Sequence, residues 1–152
     1  MTPEAKLAEL GLELPAVFPP AADYVSCRLA GNLIYVSGHG PMRDGKAVYT
    51  GKVGAELDIE TGAKSAELTM LGVLASIKAE IGELSRITGW LKLSVFVNAT
   101  ADFNMHHLVA DGASKLLGAL WGPNAKHARF AVGMMSLPWS IATEIEAIAE
   151  FN

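Results

Sequence analysis

Between Asp58 and Gly82 the chain carries one uninterrupted helical pattern, and its apolar stripe limits the folds open to it. Ala63, Ala66, Met70, Leu74, Ile77 and Ile81 recur at three- and four-residue steps, the stripe of a helix packed on a sheet. Asp58 suits the N-cap and Gly82 the C-terminal glycine position, which predicts a helix over roughly Ile59 to Ile81. The flanks supply strands for it to cover. Tyr24 to Leu29 and Leu33 to Ser37, joined by Ala30-Gly31-Asn32, read as a hairpin, and Ala47 to Thr50 as a short third strand. Trp90 to Asn98 is a further strand, with Leu91, Leu93, Val95 and Val97 expected on one face. A second helix is expected after Asp102 as N-cap, with Phe103, His107, Ala110, Ser114, Leu117 and Trp121 near one face. Residues 1–22 read as a short helix over 3–10 and an extended arm broken by Leu14-Pro15 and Pro19-Pro20. The order β-β-(β)-α-β-α-β-β predicts an α+β sandwich, one domain over 1–152, with a mixed sheet and two helices on one face.

Composition narrows the function classes. A chain of 152 residues can bury roughly 70% of its unfolded surface without a disulfide or metal staple. Hydrophobic residues make up 51% and charged ones 18%, a balance that points to subunit interfaces. The net charge of −4 and scattered Lys and Arg argue against a nucleic-acid partner. A single cysteine, Cys27, fits a reducing compartment and the role of a small buried hydrophobe. The N-terminal residues lack a signal-peptide pattern and no apolar run reaches membrane-spanning length, so a cytoplasmic protein with no membrane partner is expected.

The end of the chain is unusual for a core. His127-Ala128-Arg129-Phe130-Ala131-Val132-Gly133 and Thr143-Glu144-Ile145-Glu146-Ala147-Ile148-Ala149 read as strands joined by a turn containing Pro138. Burying a guanidinium unpaired is costly, so Arg129 is expected to face a carboxylate: Glu144, Glu146, or one carried by a ligand. In a tight hairpin around Leu137 to Ser140, Glu146 is the nearer strand partner, and Arg129 meets Glu144 only across a subunit boundary or not at all. Alternation separates Phe130, Val132 and Met134 from Arg129, Ala131 and Gly133. If the more apolar sides meet the helices, Arg129 and both glutamates look away from them together.

With these residues in place, the chain resembles the reactive intermediate deaminase family, also called Rid or YjgF and often labelled endoribonuclease L-PSP-like. The likeness runs from about Asp23 to Phe151. It rests on Tyr24, Ile34-Tyr35-Val36-Ser37-Gly38, Val95-Phe96-Val97 leading to Asp102-Phe103, His127-Ala128-Arg129, and Leu137-Pro138 leading to Glu144-Ile145-Glu146-Ala147. The match looks like a divergent branch. The resemblance implies a chorismate-mutase-like fold and a homotrimer whose sheets form a central barrel, with ligand clefts between subunits and no cofactor. It also implies hydrolysis of enamine or imine intermediates of amino acids to 2-keto acids and ammonia. Arg129 falls on the family's substrate-carboxylate anchor and Glu144 on the acid thought to position water. Tyr24, Ser37 and Gly38 fall on the cleft wall. Three positions depart from the common pattern. Ala131 stands where cysteine is frequent, His107 where asparagine is frequent, and His39 where glutamine is common; all three are expected beside the substrate.

The chemistry suits these residues. Arg can hold the carboxylate of a 2-imino or 2-keto acid with two parallel hydrogen bonds. A carboxylate can orient water and take its proton, typically worth roughly 10²–10⁴ in rate. His106 and His107 are adjacent, so they point apart on a helix, and His39, His107 and His127 form no ligand spacing; no metal is expected. The alternative to a deaminase is a non-catalytic, carboxylate-binding or regulatory trimer. Ribonuclease activity ranks last because an RNA cleft needs cations.

Overall fold

The structure, a computed structural model, describes residues 1–152. Its elements run α1 (Pro3–Glu9), β1 (Cys27–Ala30), β2 (Leu33–His39), β3 (Met42–Arg43), β4 (Lys46–Ala47), α2 (Ile59–Ile81), β5 (Ile87–Asn98), α3 (His106–Trp121), β6 (Ala128–Met134) and β7 (Thr143–Phe151). Five strands form one mixed sheet in the order β1-β2-β7-β5-β6, and β3 and β4 form a separate ribbon. Only β5 and β6 pair in parallel, and α3 is the crossover between them. Both long helices lie on one sheet face.

Helix α2 has the bounds its stripe predicts. The Asp58 carboxylate accepts from the Thr61 N–H at 2.7 Å, and Gly82, with φ 91°, ends the helix. Met70, Val73, Leu74 and Ile77 are fully buried. Helix α2 is also tied to the start of β7 by buried hydroxyls. The Thr143 hydroxyl lies 2.7 Å from that of Ser65 and 3.0 Å from that of Thr69. This fixes the first residue of β7, and hence the backbone of Glu144 beside it.

Gly112 brings α3 close to α2, since a Cβ there would run into the Ala63 carbonyl. Backbone on backbone cannot yield as a side chain can. Gly112→Ala is therefore expected to lower stability by about 2 kcal/mol or more in denaturant titration, the range of core overpacking.

Several expectations need correction. The strands of Arg129 and Glu144 form no hairpin: β5 lies between them, pairing with β6 on one edge and β7 on the other. Leu93, Val95 and Val97 of β5 are fully buried, so this strand takes the central place. Residues 135–142 cross over its end, where the Asn98 N–H donates to the Ala142 carbonyl at 2.9 Å. Leu91 leaves the row expected of it: a register irregularity between Trp90 and Lys92 leaves Leu91 exposed and buries Trp90. Asp102 caps no helix, because α3 starts at His106, after Met105. The strand expected over Ala47 to Thr50 is reduced to β4, Lys46–Ala47, paired with β3, and Thr50 makes only an isolated bridge to Ile141.

The two faces also sort differently from expectation. Arg129 is paired in register with Leu93, so it lies on the helix side with Ala131 and Gly133. Phe130, Val132 and Met134 lie on the uncovered side, in line with Phe96, Glu144, Glu146 and Tyr35. The glutamates look away from the helices, as expected, and Arg129 does not. An edge strand explains this: the rim of α3 provides polar partners for a cation that a central strand would lack.

Candidate active site

Two polar centres lie at different places on the sheet. The first is a cavity of about 180 Å³ between the N-terminal arm, the end of β2 and the turn before β7. The β2–β7 register shifts between Val36 and His39, the mark of a bulge. The shift brings Ser37 and Gly38 beside Glu144. A Cβ on Gly38 would run into Oε1 of Glu144, so only glycine lets the carboxylate lie against this strand end.

Glu144 is half-buried, and its surroundings raise its pKa above the ordinary carboxylate value. Loss of water is the larger cause and the like charge of Glu146 the smaller. No Lys or Arg lines the cavity to counter this. His39 is fixed at both nitrogens. Its Nδ1 donates to the Ser37 carbonyl at 2.6 Å, which leaves Nε2 to accept from the Ser76 hydroxyl at 2.7 Å. Burial lowers its pKa, so this imidazole is neutral and holds the strand end to α2. The Ser37 hydroxyl donates to the Val25 carbonyl. Tyr24 lines the mouth, half-exposed, its hydroxyl accepting from the Ala21 N–H at 3.4 Å.

The second centre surrounds Arg129 at the β6 edge. Its Nη1 donates to Asp111 at 3.0 Å and to the Ser114 hydroxyl at 2.9 Å, and Nη2 to the His107 carbonyl at 3.3 Å. The Ser114 hydroxyl oxygen also lies 3.0 Å from Nε2 of His127. His127 Nδ1 donates to the Ala125 carbonyl at 2.6 Å. The Arg129 and Asp111 side chains are 21% and 37% exposed, so their pairing contributes at most about 1 kcal/mol and can be exchanged for another carboxylate.

Of the residues singled out in the sequence, Tyr24, Ser37, Gly38, His39 and Glu144 share the first cavity. Arg129, His107 and Ala131 belong to the β6 edge, on the other side of the sheet from Glu144. His107 is exposed there and gives Arg129 its carbonyl. The partner expected for Arg129 among Glu144, Glu146 and a ligand is instead Asp111 of α3. Asp111 and Ser114, three residues apart on one helix face, carried the signal for this clamp. The sequence reading also passed over Phe18 and Trp139, whose rings meet edge-on at 5.8 Å on the cavity wall. The Trp beside Pro138 was the available cue. No three His, Cys, Asp or Glu side chains converge to hold a metal ion.

A mixed five-stranded sheet carrying two helices on one face, with a carboxylate cavity at a bulged strand end, defines a class that comparison with known proteins identifies. Residues 4–150 match the family described as "YjgF/chorismate_mutase-like, putative endoribonuclease". The chain belongs to the YjgF/chorismate mutase-like family. Protein TCP17 of Trypanosoma cruzi is 39% identical over 149 residues, covering 97% of this chain and 93% of that protein. The crystal structure of Atu1372 from Agrobacterium tumefaciens, a protein of unknown function, is 43% identical, with a TM-score of 0.93 over 99% of this chain and 92% of that one. A structure described as a putative endoribonuclease from Shewanella oneidensis is 31% identical, with a TM-score of 0.96 over 99% of this chain and all of that one (100%). No helix is long and apolar enough to cross a membrane.

Proposed function

We propose that the protein hydrolyses reactive 2-imino acids, and their enamine tautomers, to 2-keto acids and ammonia in clefts between subunits of a homotrimer. The observation that carries this reading is Glu144: an unpaired carboxylate in a largely apolar cavity, beside a strand end shaped by Gly38 to receive it. A carboxylate with a raised pKa is a stronger base toward water than an ordinary one, and suits general base work near neutral pH.

The reaction needs little else. Water adds to the C=N carbon, giving a proton to Glu144. With the imine nitrogen protonated, this leaves a neutral carbinolamine; Glu144 returns its proton to the amino nitrogen, the C–N bond breaks as the hydroxyl oxygen forms C=O, and the hydroxyl proton leaves with the ammonia as ammonium. Arg129 binds the substrate carboxylate with two parallel hydrogen bonds, exchanging Asp111 for it. Within one subunit Arg129 and Glu144 lie on opposite sheet faces, so the cleft takes Arg129 from one subunit and Glu144 from its neighbour. The uncovered sheet face favours such an assembly. Tyr35, Phe130, Val132 and Met134 are each at least 36% exposed there, an apolar surface unusual on a monomer.

A second reading, a non-catalytic trimer that binds small carboxylates, is favoured by Ala131 and His107, which stand where the family frequently has cysteine and asparagine. An assay in which an amino-acid oxidase forms 2-imino acids in the presence of semicarbazide separates the two. The wild-type protein is expected to slow semicarbazone formation, a protection that arises because it hydrolyses the imine to the keto acid before the trap captures it. No protection with any imine, alongside binding of a 2-keto acid, would leave only the binding trimer. The net charge of −4 and the lack of cations around the cavity speak against RNA as substrate.

A further inference from the structure

We propose that the cavity beside Glu144 is the side-chain subsite, and that Phe18 and Trp139 make it selective for substrates with an aromatic or similarly large apolar side chain. This rests on the reading of the site given above, and goes beyond it to the substrate class.

Size comes first. The cavity of about 180 Å³ exceeds the ~150 Å³ apolar hole that accommodates benzene, so it has room for one ring. Its walls suit a ring. Phe18 from the N-terminal arm and Trp139 from the turn before β7 meet at 75°, with centroids 5.8 Å apart. A third ring enclosed by them gains edge-to-face contacts of the kind they already make. Met42 and Ile141 add apolar surface to the wall.

Charge gives the second argument. The one carboxyl group in the wall is Glu144, and no Lys or Arg lines it. An anionic side chain would meet that carboxylate without compensation, which selects against dicarboxylic substrates. The substrate's own carboxylate must therefore lie outside the cavity, where a neighbouring subunit's Arg129 can reach it.

Backbone geometry gives the third. Trp139 and Ser140 have φ 55° and 57°, a left-handed conformation that non-glycine residues adopt at a cost. The turn is pinned there by the Gly51 N–H, which donates to the Ser140 carbonyl at 2.8 Å. Trp139 remains 59% exposed. An apolar ring kept largely in water on a strained turn gains burial when an apolar group enters beside it.

The test is calorimetric titration of the full-length protein with phenylpyruvate, pyruvate and 2-oxoglutarate, alongside hydrolysis of imines formed from phenylalanine and alanine. Phenylpyruvate is expected to bind about tenfold or more tightly than pyruvate, the lower end for burying an aromatic side chain, and 2-oxoglutarate more weakly than either. Phe18→Ala and Trp139→Ala, tested separately, are each expected to weaken phenylpyruvate far more than pyruvate and so erase most of that ratio. Phe18→Leu should retain part of it. Equal affinity for phenylpyruvate and pyruvate in the wild type, or variants that weaken both alike, would overturn the proposal. The two readings fail separately. A phenylpyruvate preference with no turnover of any imine would remove the hydrolase and leave the subsite. Equal turnover and equal binding of aromatic and small substrates would remove the subsite and leave the hydrolase.

Discussion

Glu144→Gln is expected to lower imine hydrolysis by roughly 10²–10⁴, the range for loss of a positioned acid–base group, while the protein stays folded. The amide keeps the shape of the carboxylate but cannot take a proton from water. Its effect on stability should be opposite in sign to its effect on rate. Burial raises the pKa of Glu144 in the folded protein above its unfolded value. The folded state thus binds the proton more tightly, and this contribution is full below the ordinary value of about 4.3. It is lost as pH rises through the raised value, above which ionised Glu144 works against the fold. Glu144→Gln should therefore melt higher than wild type near neutral pH and match it below the ordinary carboxylate range. In the wild type, hydrolysis should fall off on acidification at a pH above that of an ordinary glutamate. Gly38→Ala is expected to weaken the same step by displacing the carboxylate, with a smaller change in melting temperature because a flexible side chain end can yield. An unchanged rate in Glu144→Gln would remove Glu144 from the chemistry.

Arg129→Ala is expected to abolish measurable protection of the keto acid and to weaken binding of 2-keto acids by a hundredfold or so, about the strength of a charge-assisted bidentate contact. Stability should fall by no more than about 1 kcal/mol, since the Asp111 pairing it removes is partly exposed. Arg129→Lys should recover little, because an ammonium cannot present two parallel N–H groups. Asp111→Asn is a useful counterpart. Because the substrate carboxylate takes the place of Asp111 on the guanidinium, the variant should bind keto acids more tightly than wild type. Retained turnover in Arg129→Ala would show that the carboxylate anchor lies elsewhere.

How much of this was legible in the sequence depended on how local the signal was. Helix α2 could be read to its ends because its stripe, its N-cap Asp58 and its terminal Gly82 are all encoded within a few residues of where they act. The uncovered orientation of Glu144 followed from alternation in the same way. The pairing of β6 did not. Two adjacent strands with a proline turn suggest a hairpin, yet the central place of β5 is decided by the burial of Leu93, Val95 and Val97, a choice made by the whole sheet. The assumption that the more apolar side of a strand meets the helices turned Arg129 to the wrong face and hid Asp111 as its partner, because Phe130, Val132 and Met134 look to the uncovered side instead. The cap assigned to Asp102 failed because a competing turn, with the Phe103 N–H on the Thr100 carbonyl, takes up those residues before α3 begins. The bulge that gathers Ser37, Gly38 and Glu144 is an irregularity that strict period-two reading passes over. Phe18 and Trp139 lie about 120 positions apart in sequence, and nothing local to either marks their meeting.

The central claim is that Arg129 of one subunit and Glu144 of the next complete a single hydrolytic site. Subunit mixing tests it most directly. Arg129→Ala and Glu144→Gln proteins, each inactive alone, would be co-expressed in equal amounts and assayed as mixed assemblies. In a cyclic trimer assembled at random, about a quarter of the clefts would pair an intact Arg129 with an intact Glu144, and activity near that fraction of wild type is expected. A mixture as inactive as either parent, with mixed trimers verified by mass, would contradict a site shared across the subunit boundary.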